Sequence, residues 1–188
     1  MKVTTTRFGE LEVSKNDIIV FPEGILGFDQ LRKFFVVDPG DSTLILWFQS
    51  IDDAKIAFPI IEPKIFKPDY VAKLMRTDME NLELDSVSDS RIYSILTIPS
   101  DITKMSANLK APIVINNKKK IAKQIVLQDS KLPVQFEMYL ELKKYIVNYS
   151  SDDTTRTTVK LSDETTATTP TKKVVDSTDS NKKLENEL

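Results

Sequence analysis

Apolar residues along this chain recur mostly with a period of two, in short runs broken by turn-forming clusters, a pattern of strands rather than helices. Leu11 and Val13 alternate with Glu10 and Glu12, Ser14-Lys15-Asn16-Asp17 supplies turn chemistry, and Ile18-Ile19-Val20-Phe21 follows. The pattern predicts a hairpin between these two stretches. Pro22, Gly24 and Gly27 then steer the chain round a corner, and Phe34-Phe35-Val36-Val37 restarts extended structure until Asp38-Pro39-Gly40 turns it. Thr43 to Ser50 is continuously apolar in its middle, which fits a strand covered on both faces or part of a closed barrel. Asp52-Asp53 interrupts it, and Lys55 to Ile61 returns as its expected neighbour. Pro59 has no N–H for a ladder and belongs at an edge or a bulge.

Lys67 to Met75 predicts a short helix: Pro68 suits a first turn, Asp69 favours the positive end of the dipole, and Tyr70, Val71 and Leu74 share one face. Ile92 to Ile98 is β-branched and aromatic, stops at Pro99 and reads as a strand. Ile113 to Asn116 and Ile121 to Leu127 form the clearest hairpin, turning through Asn116-Asn117-Lys118-Lys119-Lys120, where the asparagines tolerate positive φ. Val134 to Leu142 alternates as a strand does, yet Phe136, Leu140, Lys143 and Val147 also share a helical face; the reading is strand first and helix near the end. From about Ser150 the composition turns to Thr, Ser, Asp and Lys with few apolar residues. Such a segment buries too little surface to offset its ordering entropy, so residues 1–149 are expected to form one β domain and 150–188 a disordered tail.

Composition then removes whole classes of chemistry. The chain has 188 residues, no cysteine and no histidine. Thiolate or imidazole zinc sites, disulfide frameworks, cysteine nucleophiles and the Ser-His-Asp triad are excluded, while a carboxylate site for Mg²⁺ or Ca²⁺ stays open. The first residues lack the apolar core of a signal peptide, and no apolar run approaches the roughly 20 residues that span a bilayer. A cytoplasmic protein is the expectation. A net charge of −2 argues against nucleic-acid binding as the main business and favours an acidic face for a basic partner.

The remaining candidates are few. Adjacent Asp52 and Asp53 make a poor catalytic pair, since in a strand they face opposite ways and in a turn they face water. Glu23 and Asp29 flank the glycines, but general acid and base work also needs a pocket. Gly24-Ile25-Leu26-Gly27 matches neither the dinucleotide nor the Walker pattern, and no helix opens after it. It reads as a tight turn whose apolar side chains more often fold back into the core than meet a partner. Lys118 to Lys120 with Lys123 is a basic patch, and a β-barrel with Phe34, Phe35 or Tyr93 as stacking surfaces is the competing, RNA-binding reading; a solvated hairpin tip accounts for the same lysines.

Four blocks in order resemble the flagellar assembly factor FliW family: Phe21-Pro22-Glu23-Gly24-Ile25-Leu26-Gly27-Phe28; Leu46 to Asp53 with Ile56-Ala57-Phe58; Ala107 to Asn116; and Lys123 to Leu127. The resemblance covers roughly residues 1–130. It rests on Phe21, Pro22, Gly24, Gly27, Gln49, Ser50, Asn108, Leu109, Pro112, Asn116 and Gln124, and departs where Leu26 stands at a position often held by proline. It implies a mainly β fold, a small antiparallel β-barrel-like domain with one or two short helices, that is not an enzyme and needs no cofactor. It also implies two protein partners, flagellin and the translational repressor CsrA, with no direct contact to nucleic acid or membrane; the oligomeric state is not fixed by the sequence, and a monomer is the expectation. From charge and exposure rather than from the resemblance, the expected partner surface combines acidic Glu23, Asp29, Asp52 and Asp53 with Ile25, Leu26 or Phe28 as apolar anchor.

Overall fold

The computed structural model describes residues 1–40, 44–129, 131–144 and 173–174. Its first element pair corrects the sequence reading. β1 (Lys2–Thr5) and β2 (Gly9–Glu12) form the N-terminal hairpin, with Val3 opposite Leu11. Lys15–Asp17 is instead a 3₁₀ turn, started by Asn16 N–H donating to Ser14 Oγ at 3.2 Å. Ser14 therefore redirects the chain rather than closing a hairpin.

β3 (Ile19–Val20), β4 (Lys33–Asp38), β5 (Leu46–Ser50) and β6 (Ala57–Ile61) follow as an antiparallel meander. The β6 ladder to β7 (Ser90–Thr97) covers Ile60 and Ile61 and leaves out Pro59, as a residue without an N–H requires. β8 (Ser106–Ala107) extends from β7, and β9 (Ile113–Asn116) pairs with both β7 and β10 (Ile121–Gln124). β10 then meets β3 and closes a ring of seven strands, β7-β6-β5-β4-β3-β10-β9.

The β3–β10 pair is parallel, through Val20 and Ile121, where an antiparallel barrel was expected. Geometry demands one such pair. Antiparallel neighbours reverse direction at every step, so an odd ring cannot close without a parallel contact.

Alternation distributes the apolar residues between three cores. Phe34 and Val36 of β4 face the barrel interior with Phe21, Phe48, Tyr93 and Ile113, while Phe35 and Val37 face outward under the β1–β2 hairpin with Val3, Phe8 and Leu11. β4 is apolar throughout because both its faces are covered. Phe48 lies inside the ring and Trp47 outside it, against Phe8, so within β5 the strand is both covered on two faces and part of a closed barrel; Thr43 lies outside the described residues. On the far side, Val114 and Leu96 pack beneath Phe66, Tyr70, Leu82, Met138 and Leu142 in the third core.

The helix expected at Lys67–Met75 is absent. Tyr70 and Ala72 are buried, Leu74 is half-buried, and Val71 is exposed at 63%, a period of two that selects extended chain over helix. Tyr70 O–H donates to the Leu109 carbonyl at 3.0 Å and anchors the segment. The helix forms just after it, as α1 (Arg76–Asn81), whose first turn is closed by Met75 N–H donating to the Asp78 carboxylate at 3.0 Å. β11 (Phe136–Glu137) pairs with β8, and residues 139–144 continue as a second short helix, α2, in the expected order of strand then helix. Val147 and most of the tail lie outside the described residues; within the tail, β12 (Lys173–Val174) pairs with β4.

Candidate functional site

The glycine segment forms a loop at one end of the ring, and its shape follows from two turns. Gly24 N–H donates to the Phe21 carbonyl at 3.1 Å, closing a turn with Pro22 in its second position. Phe28 N–H donates to the Ile25 carbonyl at 2.7 Å, and Gly27 takes φ +82° while Leu26 does not have positive φ. That combination is a type II turn, which needs glycine third and favours proline second. Leu26 stands at the proline position and uses the N–H that proline lacks: it donates to Gln124 Oε1 at 3.0 Å, while Gln124 Nε2 donates to the Ala111 carbonyl at 3.1 Å. Gln124 thereby ties the loop to β10. Gly24 serves a different need, because a Cβ there would lie 2.7 Å from Asp29 Cα and 2.8 Å from the Phe28 and Asp29 carbonyl oxygens.

Rings connect this loop to the barrel core. Phe28 meets Phe58 edge to face at 5.1 Å, Phe58 meets Phe34 at 6.2 Å, and Phe34 meets Phe21 at 5.1 Å. Edge-to-face pairs add about 0.5–1.5 kcal/mol each beyond their burial, so the loop is held as part of the core. Ile25 is folded back at 2% exposure, Phe28 is half-buried and Leu26 projects at 56%. Of the three anchor candidates, Leu26 alone offers most of its side chain to solvent.

The acidic candidates separate in the same way. Asp52 accepts Arg32 N–H at 2.6 Å and Lys33 N–H at 2.9 Å, fastening the end of the glycine loop to the turn after β5. Asp53 accepts Lys55 N–H at 2.9 Å within that turn. Glu23 pairs with Lys123 at 2.9 Å, and Asp29 is exposed at the loop. The structure therefore brings Glu23, Asp29 and Asp52 to one end of the barrel, with Asp52 employed in building it. Beside Glu23 is a hollow of about 120 Å³ lined by Pro22, Asn81, Ala122 and Lys123, against roughly 300–1,000 Å³ for ligand pockets. Among the described residues no group of three or more His, Cys, Asp or Glu side chains could hold a metal ion.

The other motif positions are architectural, which sequence reasoning did not resolve. Buried Gln49 donates from Nε2 to the Ser50 and Ile56 carbonyls, both at 3.0 Å, and Ser50 Oγ accepts the N–H groups of Asp52 and Asp53 at 3.1 Å. Asn108 Oδ1 accepts Ala111 N–H at 2.9 Å, and the Pro112 carbonyl accepts Ile125 N–H at 2.9 Å. Asn116 donates to the Leu82 and Glu83 carbonyls and accepts Lys118 and Lys119 N–H, locking the β9–β10 tip to the end of α1. Positive φ in that tip falls on Lys120, at +55°, and not on the asparagines. The tip occupies the end of β10 opposite the glycine loop; Lys118 pairs with Asp89 at 3.1 Å and Lys119 with Glu83, which reduces the local field available to phosphates.

At the tip end, β7 places Arg91 inside the ring, donating to Tyr93 O–H at 3.4 Å. Burial holds the Glu62 carboxyl above its ordinary pKa, with Arg91 pulling it back, and burial likewise raises the Tyr93 phenol. No motif flagged these residues; the strand expected at Ile92 to Ile98 begins two residues earlier, at Ser90, and so takes in an inward-facing arginine.

The FliW protein family model matches residues 2–138, eight residues past the limit expected from the motifs. The chain belongs to the FliW family of flagellar assembly factors. It is 43% identical over 147 residues to the flagellar assembly factor FliW of Bdellovibrio bacteriovorus, spanning 78% of this chain and 84% of that one. It is 42% identical over 138 residues to that of Syntrophus aciditrophicus, spanning 73% and 87%. A crystal structure of the flagellar assembly factor FliW superposes with a TM-score of 0.70 at 29% identity, covering 74% of this chain and 97% of that one. The FliW fold thus accounts for the barrel, and the C-terminal extension lies beyond it. No helix among the described residues is long and apolar enough to cross a membrane.

Proposed function

We propose that this FliW chain is a cytoplasmic partner switch: it binds flagellin and, when free of flagellin, binds the repressor CsrA and relieves repression of flagellin mRNA. The observation that carries the reading is Leu26, an exposed apolar side chain on a loop fixed from three directions by Gln124, Asp52 and the Phe28–Phe58 contact. A rigid apolar tip beside acidic Glu23 and Asp29 suits docking to a basic protein surface, because the ordering cost has been met within the fold. It does not suit catalysis, which needs an enclosed site with tuned groups. If both partners use this end, each lowers the apparent affinity of the other by mass action.

Calorimetry of the full chain with CsrA of the same organism, with and without saturating flagellin, tests the switch. Tight binding abolished by flagellin is the expected result. Leu26→Asp and Asp29→Lys are the informative variants, since Asp52 reversal would also unseat the loop. Each should weaken CsrA binding by about tenfold, the scale of a contributing interface residue. Unchanged affinity in both variants at low salt would place the contact elsewhere, and absence of CsrA binding to the full chain would remove the regulatory reading.

A further inference from the structure

β4 carries a stretch of backbone edge that the ring strands leave open. β3 pairs with it only at Ile19–Phe34 and Val20–Lys33. Continued in that register, Asn16 and Lys15 would stand opposite Val37 and Asp38, but the 3₁₀ turn at Lys15–Asp17 takes the chain out of the sheet. The other edge of β4 is paired with β5 as far as Val37–Trp47. The vacated edge is met by β12, antiparallel to β4, with Lys173 opposite Asp38 and Val174 opposite Val37.

We propose that Lys173–Val174 is a cis-acting edge strand that docks the C-terminal extension on β4 and withholds this edge from extended segments of other chains. Open edges present unpaired N–H and C=O groups and recruit strands, so a fold that leaves one must cover it. Within residues 150–188 the only adjacent apolar residues are Val174 and Val175, β-branched and suited to a strand, in surroundings that otherwise disfavour one. A two-residue pairing is weak between separate molecules. Within one chain it acts at an effective concentration on the order of millimolar, which favours the cis segment over a second copy.

The chain has no cysteine, so an introduced pair reports the pairing without background. In the full chain, D38C/K173C should form an intramolecular disulfide under mild oxidation faster than D38C/T165C, because directly opposed Cβ atoms sit about 4.5–5.5 Å apart, near disulfide spacing. The second measurement leaves β4 unchanged: in K173P/V174P, hydrogen exchange at the β4 amide paired to β12 should rise about threefold to tenfold, one net backbone hydrogen bond's worth. Equal cross-linking at 165 and 173, or exchange at Val37 and Asp38 unchanged by the prolines, would overturn the proposal. Disulfides formed only between chains would also overturn it, assigning the edge to a second copy.

Discussion

Gly24 and Gly27 lie three residues apart with almost the same φ, +76° and +82°, and their replacement by alanine should nevertheless differ sharply. Both variants place a Cβ in the left-handed region, which costs about 1–2 kcal/mol for an L-residue. At Gly27 nothing lies within 4 Å of the added atom, so that strain is the whole effect. At Gly24 the added atom meets Asp29 Cα at 2.7 Å and two carbonyl oxygens at 2.8 Å, all of them backbone. An ordinary carbon contact needs about 3.5 Å or more, so the chain at Phe28-Asp29 must move by most of an ångström, adding about 1–3 kcal/mol of overpacking. Gly24→Ala should therefore lose about 2–5 kcal/mol and Gly27→Ala about 1–2 kcal/mol. Urea unfolding of the full-length variants measures this directly, with unchanged slopes showing that stability rather than the denatured state has altered. Thermal midpoints should fall by about 2–4 °C per kcal/mol for a chain of this size. If Gly24→Ala were no more destabilised than Gly27→Ala, the close approach of Asp29 would not be what requires glycine in this loop.

Asn116→Ala removes two donated and two accepted backbone bonds at the β9–β10 tip, and an unfolding experiment should read a loss of about 2–4 kcal/mol from net values near 1 kcal/mol each. Tyr70 links the extended 70–74 segment to Leu109, and burial pushes its phenol up to about 12 from the ordinary 10. The folded state then holds a proton that the unfolded state releases between those values, so stability falls as pH rises from 10 towards 12. Tyr70→Phe should be less stable at neutral pH by about 1–2 kcal/mol yet lose less than the parent over that alkaline range, which melting at several pH values will show.

The strand inventory was legible because most barrel strands bury alternate residues, or both faces, in lengths that local pattern reports: Phe34–Val37, Leu46–Ser50, Ile92–Thr97 and the Ile113/Ile121 hairpin all stand where their residues placed them. The Tyr70-Val71-Leu74 stretch misled because three apolar residues fit two periods at once, and only the burial of Ala72 beneath the third core, with Val71 left outside, chooses between them. The N-terminal partner of β2 was equally open. Met1 to Thr5 is mostly polar, and its pairing depends on Val3 reaching the outer face of β4.

For the site, composition by itself eliminated thiol, imidazole and disulfide chemistry, and the two glycines of the loop marked where the backbone needs left-handed φ, since those are properties of residue types and nearest neighbours. Which side chains that loop offers was decided by tertiary contacts. Ile25 turns inward to the barrel core while Leu26 projects from the same turn, and Asp52 spends its carboxylate on Arg32 and Lys33 N–H groups 20 and 19 residues away. Ring closure belongs to the same class. The parallel contact of Val20 with Ile121 joins residues a hundred positions apart, and no local period can carry a constraint that arises only when seven strands must meet end to start.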